Sequence, residues 1–352
     1  MRRIIERLKW NLYYRYKSLN IPDEEGEYTF MNKFLIILHT LYCTYIANDY
    51  WNINKRKEHI MRDPEEISNL LYNALNDEKP CMIARFGGIE QTAVANYLSI
   101  YSNKRNFFNC VTGKQPYWWW EKKIKKELKT NAGFFPNEAK YIEEYCRIML
   151  EDIKQLDILL TWYGKEFYIL GEKINIPLID LQESEPWWQK EPWTKALNGK
   201  KILVIHPFSE LIEEQYRKRT ELFSNPEVLP TFSLITIKAV QSINGECEGF
   251  QTWFEALNWM KNEIDKIDYD IALIGCGAYG FCLAAHIKRK GKKAFHMGGV
   301  LQLLFGIKGA RWEDPNYHPK YNYTNLFNNN WIKPSKQYIP KSAKLVENAC
   351  YW

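Results

Sequence analysis

The sequence lacks most of the signatures that would declare a chemistry outright. No G-x-x-x-x-G-K-[ST] phosphate loop occurs, so a P-loop nucleotidase is excluded. The eight cysteines form no C-x-x-C pair and no regular framework, which excludes zinc fingers and a disulfide scaffold. Buried thiols in a reducing compartment are the simpler expectation. No arginine-glycine tract or RNP-like motif accompanies the mild net charge of +6, so no nucleic-acid partner is expected. No secretory signal follows the N-terminus, and the longest apolar run, Phe34–Ala47, is too short to span a bilayer. Asp and Glu are missing altogether from Ile271 to Trp312.

What is present is an ordinary globular composition, 46% hydrophobic and 26% charged over 352 residues, enough to bury a full core. Residues 1–60 read as a helical N-terminal extension, and residues 61–352 as the main domain. Within Met1–Lys17 six basic residues stand against one acid, and Ile4, Ile5, Leu8 and Leu12 share a helical face. That basic amphipathic helix suits an anionic membrane surface. The expected location is cytoplasmic, with peripheral attachment to the inner face of the cell membrane left open by this helix. Ile21–Thr29 reads as a loop, and Phe34–Ala47 as a buried core helix.

From Asp63 onward the pattern is that of alternating helices and buried strands. Asp63 and Pro64 with two acids behind them signal a helix start, and "CMIARFGG" reads as a strand ending in a glycine turn. Residues 121–155 are expected to be helical with a break at Asn131–Pro136. Strands are predicted at Leu156–Tyr163, Ile174–Leu181, Lys200–Phe208, Leu229–Lys238, Asp270–Ile274 and Lys293–Met297. Thr252-x-x-Glu255 is a capping box for a helix whose stripe is Trp253, Leu257, Met260 and Ile264. The fold class is therefore α/β, a Rossmann-like, mostly parallel sheet flanked by helices.

Two glycine turns carry the chemistry. Gly275, Gly277 and Gly280 have the G-x-G-x-x-G spacing between a strand and a helix that begins near Ala278. A nicotinamide site would place an acid at the end of the next strand, but Phe295 and His296 stand there. An acid-free helix N-terminus still suits a phosphate or diphosphate. Lys288, Arg289, Lys290, Lys292, Lys293, Lys308 and Arg311 make the surroundings basic. In the first turn, Arg85, Gly87, Gly88 and Glu90 fall at the carboxyl edge of the sheet. The guanidinium is shaped for phosphate, and the carboxylate for a base or a metal. His206, at a sharp His-Pro turn, His296 and Tyr279 are further candidate contacts. The Trp-rich Pro116–Trp120 and Glu185–Trp188 are candidates for an acceptor groove, though core packing is the simpler reading.

The stretches "RFGGIE", "KKILVIHPFSELIEEQYRKR" and "GCGAYGFCLAAHIKRKGKKAFHMGGVLQLLFGIKG" resemble bacterial surface-polysaccharide biosynthesis proteins. These in turn are similar to glycosyltransferases of the GT-D fold. The resemblance runs from Asp63 to "ENACYW". It implies a nucleoside-diphosphate sugar donor and a glycan or lipid-linked acceptor; the donor's diphosphate is then assigned to the turn Gly275–Gly280, helped by Arg85. It also implies an Asp-x-Glu in the first glycine turn, for metal and sugar-nucleotide binding. Here the matching positions are Gly88 and Glu90. With Gly88 in place of the Asp, Glu90 remains as general base or as the sole carboxylate for Mg²⁺ or Mn²⁺, and no ordered metal is expected in the free protein. The missing acid keeps a non-catalytic nucleotide- or sugar-binding component of a polysaccharide assembly complex as the alternative. An oxidoreductase is disfavoured by the absent ribose-binding acid.

Overall fold

The computed structural model describes residues 30–46, 59–162, 164–171, 175–245, 247, 249–345 and 349–352. The basic helix expected at Met1–Lys17 and the loop at Ile21–Thr29 lie outside the described residues. Seven strands are all parallel: β1 (Cys81–Arg85), β2 (Ile158–Thr161), β3 (Leu178–Asp180), β4 (Lys201–His206), β5 (Ser233–Lys238), β6 (Ile271–Ile274) and β7 (Lys293–His296). Their order across the sheet is β3-β2-β1-β7-β6-β4-β5.

The strands read as continuous apolar runs because both faces are covered. Met82, Ala84, Leu203, Ile205, Ala272, Ile274 and Ala294 enter one core. Their neighbours Cys81, Ile83, Ile202, Val204, Ile271, Leu273 and Phe295 enter the other. Period-2 alternation thus feeds two layers from each strand.

In chain order the helices are α1 (Phe30–Tyr45), α2 (Pro64–Asn76), α3 (Gly88–Ile100), α4 (Phe107–Val111), α5 (Lys122–Thr130) and α6 (Ala139–Ile153). They continue with α7 (Glu166–Leu170), α8 (Ser209–Tyr216), α9 (Trp253–Ile264), α10 (Tyr279–Arg289) and α11 (Leu301–Leu304). Side chains of α3, α6, α9 and α10 fill the first core. Those of α2, α8 and α11 fill the second, with Trp193, Trp312 and Trp352. The helix starts follow their sequence signals. Asp63 Oδ1 accepts from the amides of Glu65 and Glu66, both at 2.9 Å. Thr252 Oγ1 accepts from the Glu255 amide at 3.2 Å, and Glu255 Oε2 accepts in return from the Gln251 amide at 2.7 Å.

Two expectations need correction, and one alternative is decided. The strand predicted over Ile174–Leu181 is only Leu178–Asp180, because its pairing with β2 begins at Leu178. The Trp-rich stretches follow their simpler reading and pack: Tyr117 and Trp187 are buried, and Trp188 stacks on Tyr321 at 4.5 Å. The helix expected to be buried, α1, covers only one face with protein. Leu35, Ile36 and Thr40 are buried, while Met31, Phe34, Ile37 and Leu41 are exposed. No described helix is long and apolar enough to cross a membrane.

The central strands carry the stability. Leu273→Ala in β6 removes a fully buried side chain from a strand paired on both sides, with β4 and with β7, and should cost about 2–5 kcal/mol. Urea unfolding reads this directly. A midpoint equal to the parent's would mean that β6 does not lie at the centre of the sheet.

Candidate active site

All seven strands end on the same side, and the segment after each contributes to one cavity of about 690 Å³. Open parallel sheets bind ligands at this carboxyl edge. Its wall includes Arg85 and Glu90 after β1, Trp162 after β2, Gln182 after β3, His206 on β4 and Ser242 after β5. Gly275, Gly277 and Tyr279 follow β6, and His296 ends β7. Arg85, Gly87, Gly88, Glu90, His206, Gly275, Gly277, Tyr279 and His296 therefore all line this space, and Gly280 does not. Gly280 lies just behind it, in the first turn of α10.

The glycines are explained by what presses on them. A β-carbon at Gly275 would stand 2.7 Å from His206 Cδ2 and 2.8 Å from the Gly298 carbonyl oxygen. One at Gly280 would stand 2.2 Å from His296 Cε1. Gly280 thus admits the His296 ring between α10 and the sheet, the close packing that the third glycine of such turns permits. Gly277 differs: its φ is +57°, and a β-carbon there meets nothing within 4 Å. It is the glycine required by backbone conformation. Beyond it, the amides of Cys276, Gly277 and Ala278 donate to no partner among the described residues. Three N–H groups without a partner among the described residues thus stand just before an eleven-residue helix, in the kind of position that can receive an anion.

The two histidines are neutral donors and acceptors. Burial pushes both imidazoles down to about 3, and at His296 the Arg85 charge adds to this. The Phe208 amide donates to His206 Nδ1 at 3.0 Å, so the proton sits on Nε2. His296 Nδ1 lies 3.2 Å from the Ile274 carbonyl, which only accepts, so Nε2 of His296 is the bare acceptor. Tyr279 is anchored by a 2.7 Å hydrogen bond to Ser242 and by stacking on Trp253 at 4.9 Å.

Arg85 sits over the Trp162 ring, its Cζ 4.9 Å from the centroid, and its Nε donates to the Phe86 carbonyl at 3.2 Å. Its two terminal nitrogens have no partner among the described residues. Trp162 is fixed in turn by its Nε1 donating to the same Phe86 carbonyl at 3.0 Å. The loop carrying it is clamped by Glu166, which accepts from the Trp162 and Gly164 amides at 3.0 and 2.7 Å.

Glu90 makes no ion pair with Arg85 within bonding distance. Its carboxyl folds back over Gly87, where a β-carbon would lie 2.0 Å from Oε2. Burial raises its pKa above the ordinary carboxylate value, opposed by amides of its own helix turn and by the Arg85 charge. Gly88, where the resemblance implies an Asp, lies under Trp162: a β-carbon there would be 3.3 Å from the ring. Among the described residues no three His, Cys, Asp or Glu side chains gather to hold a metal. A single folded-back carboxylate does not make a divalent-metal centre, so Mg²⁺ or Mn²⁺ does not fit here as a protein-built site.

The basic run at the C-terminal end of α10 does not line the cavity. Helix α10 starts at the carboxyl edge and therefore ends at the opposite one. There Lys288 pairs with Asp157 at 2.7 Å, Arg289 with Asp152 at 2.6 Å and Lys290 with Asp265 at 2.8 Å. Of the basic residues noted in that window, Arg311 reaches the cavity, stacked on Tyr351 at 4.4 Å. Sequence reasoning did not find Trp162, Tyr317 or the wall formed by residues 350–352. The wall is pinned by the Arg311 and Ala310 amides donating to the Cys350 and Trp352 carbonyls, both at 3.1 Å. No local pattern announces such a long-range closure.

No family model and no curated protein matches the chain. Two solved structures do. One is described as the selenomethionine-substituted structure of domain of unknown function 1792, at 14% identity and a TM-score of 0.34. The other is described as the highly conserved domain of unknown function 1792 with a distinct glycosyltransferase fold, at 15% identity and a TM-score of 0.33. Each match covers 79% of this chain and 97% of the other.

Two outcomes check this geometry. Gly280→Val must displace the buried His296 ring and should cost about 3 kcal/mol, the upper end for overpacking; a parental unfolding midpoint would show that the ring does not press there. The imidazoles of His206 and His296 should not titrate between pH 5 and 8 in nitrogen-15 NMR. A midpoint near the ordinary His value at either ring would place it in water.

Proposed function

We propose that this chain is a glycosyltransferase. It moves a sugar from a nucleoside-diphosphate donor to a hydroxyl of a glycan or lipid-linked acceptor in bacterial surface-polysaccharide assembly. The observation that carries the reading is the coexistence, in one cavity, of unpaired amides at the α10 start and an arginine with unpaired terminal nitrogens. A diphosphate satisfies both. The cavity volume suits a ligand of nucleotide-sugar size. The buried His296 at the end of β7 stands where a nicotinamide ribose would need an acid, which disfavours the oxidoreductase. The motif resemblance selects sugar transfer among the remaining nucleotide chemistries.

In this mechanism the bond between the anomeric carbon and the donor phosphate oxygen breaks, and negative charge grows on the departing diphosphate. The amides of Cys276, Gly277 and Ala278 and the Arg85 guanidinium stabilise that charge without reorganising. His206 Nε2–H is a further donor. The acceptor oxygen forms the new bond to the anomeric carbon and gives its proton to the Glu90 carboxylate. The raised pKa of Glu90 makes it a better base than a solvated carboxylate. No step is routed through a metal. The crowding of Gly88 by Trp162 favours one second reading, a nucleotide-binding component without turnover.

Thermal shift with UDP, GDP, ADP and NAD⁺ separates the readings. A nucleoside diphosphate should raise Tm, and Arg85→Ala should weaken that ligand roughly ten- to a hundredfold, the range for a charged hydrogen-bond partner. Arg85→Lys should not restore it, since the lysine cannot reproduce the planar fork. Unchanged affinity in Arg85→Ala would move the phosphate elsewhere. Glu90→Gln should leave nucleotide binding near the parent value and reduce transfer by about a hundredfold. Binding in the parent with no transfer or donor hydrolysis would favour the non-catalytic component. Calorimetric titration of Mg²⁺ or Mn²⁺ into the free protein should show no saturable site, and a micromolar site abolished by Glu90→Gln would overturn the metal-free mechanism.

A further inference from the structure

Resting on the reading of the cavity as a nucleotide-sugar site, we propose that His296 selects the transferred sugar. Its Nε2 accepts a hydrogen bond from the hydroxyl on the carbon next to the anomeric one. The starting point is a bare acceptor placed among donors. The amides of Cys276, Gly277 and Ala278, the Nε2–H of His206 and the terminal nitrogens of Arg85 can only donate. His296 differs. Its Nδ1 gives its proton to the Ile274 carbonyl at 3.2 Å, and burial keeps the ring neutral, so Nε2 has nothing to donate. The oxygens of an ionised diphosphate only accept, so a diphosphate alone leaves this nitrogen unsatisfied. A ligand that satisfies the whole site brings it an O–H.

The orientation of the ring says where that hydroxyl lies. A β-carbon at Gly280 would stand 2.2 Å from Cε1 and 2.3 Å from Nδ1 of His296, but 2.9 Å from Nε2. The Nδ1–Cε1 edge thus presses on α10 and β6, and Nε2 is turned away from them. His296 is only 4% exposed yet lines the cavity, and its Nε2 has no partner among the described residues. Strand β7 lies between β6, which carries the glycine turn, and β1, which carries Arg85. Arg85 reaches over the turn after β7: a β-carbon at Gly298 would stand 3.0 Å from its Nη1. A diphosphate held by both Arg85 and the glycine turn therefore spans β7, beside His296. Glu90 follows β1, so the sugar extends to that side and the nucleoside toward β4 and β5. In a nucleotide sugar the hydroxyl fewest bonds from the diphosphate is the one on carbon 2 of the sugar. Those of the ribose lie farther along the chain and on the other side. A hydrogen bond at carbon 2 also strengthens as charge builds on the anomeric carbon.

The test compares UDP-glucose, ADP-glucose and GDP-mannose with their 2-deoxy-2-fluoro analogues, by calorimetric titration into the full chain. Fluorine is compact and cannot donate. In the series whose nucleoside diphosphate binds, the hydroxyl compound should bind roughly tenfold or more tightly than its analogue, which leaves a buried acceptor unpaired. His296→Asn keeps a donor for the Ile274 carbonyl and removes the Nε2 acceptor, and in it the two compounds should bind alike. Nitrogen-15 NMR of the parent needs no variant: Nε2 of His296 should stay unprotonated and become hydrogen-bonded with the hydroxyl compound but not with the analogue. Equal affinities in the parent would overturn the inference. So would protonation of Nε2 by the nucleoside diphosphate alone, which would make the ring one more phosphate donor. A preference for UDP over 3′-deoxy-UDP that His296→Asn removes would move the contact to the ribose and overturn it too. If no nucleoside diphosphate binds at all, the donor reading falls and this selection falls with it.

Discussion

The turn after β6 runs so close to His206 and His296 that Gly275 and Gly280 have no room for a β-carbon. This approach is what shapes the cavity. It seats the α10 start directly between β4 and β7, the two neighbours of β6 in the sheet. It also removes both imidazoles from water, which keeps them neutral and fixes which nitrogen donates and which accepts. The same packing leaves the amides of Cys276, Gly277 and Ala278, just before α10, with no acceptor among the described residues. The anion site we propose is therefore a by-product of how the sheet and the helix fit together.

The charge in the cavity is sparse and placed with care. Lys288, Arg289 and Lys290, at the end of α10, are paired with Asp157, Asp152 and Asp265 at the far edge of the sheet. What remains near the glycine turn is Arg85, braced on Trp162, and Arg311, braced on Tyr351. Both guanidiniums lie against aromatic faces, which limits their rotamer freedom and orients them before any ligand arrives. Trp162 has a second effect, since it crowds Gly88 and leaves Glu90 without a neighbouring acid. The loss of an expected carboxylate and the presence of the tryptophan are two sides of one local arrangement.

Much of this was legible in the sequence because parallel strands buried on both faces write continuous apolar runs, and capped helices write their own starts. The strands ending at Arg85, His206 and His296 and the turn at Gly275–Gly280 could all be placed from such local signals. Their gathering at one edge follows from the parallel sheet. Three things escaped, each for a reason of range. The burial of α1 was misjudged because an apolar run does not say how many of its faces a neighbour will cover. The basic run was assigned to the ligand because helix direction, not composition, decides which edge its end reaches. The wall built by residues 350–352 rests on contacts with Gly299, Gly309 and Arg311 that no local pattern encodes.

The central claim is that one anion site, made by the α10 start and Arg85, organises the cavity. A crystal structure of the protein soaked with a nucleoside diphosphate addresses it most directly. The account predicts phosphate oxygens within hydrogen-bond distance of the Cys276–Ala278 amides and of an Arg85 terminal nitrogen, with no metal ion bridging them to Glu90. A diphosphate bound elsewhere on the chain, or held through a cation on Glu90 and away from the glycine turn, would contradict it.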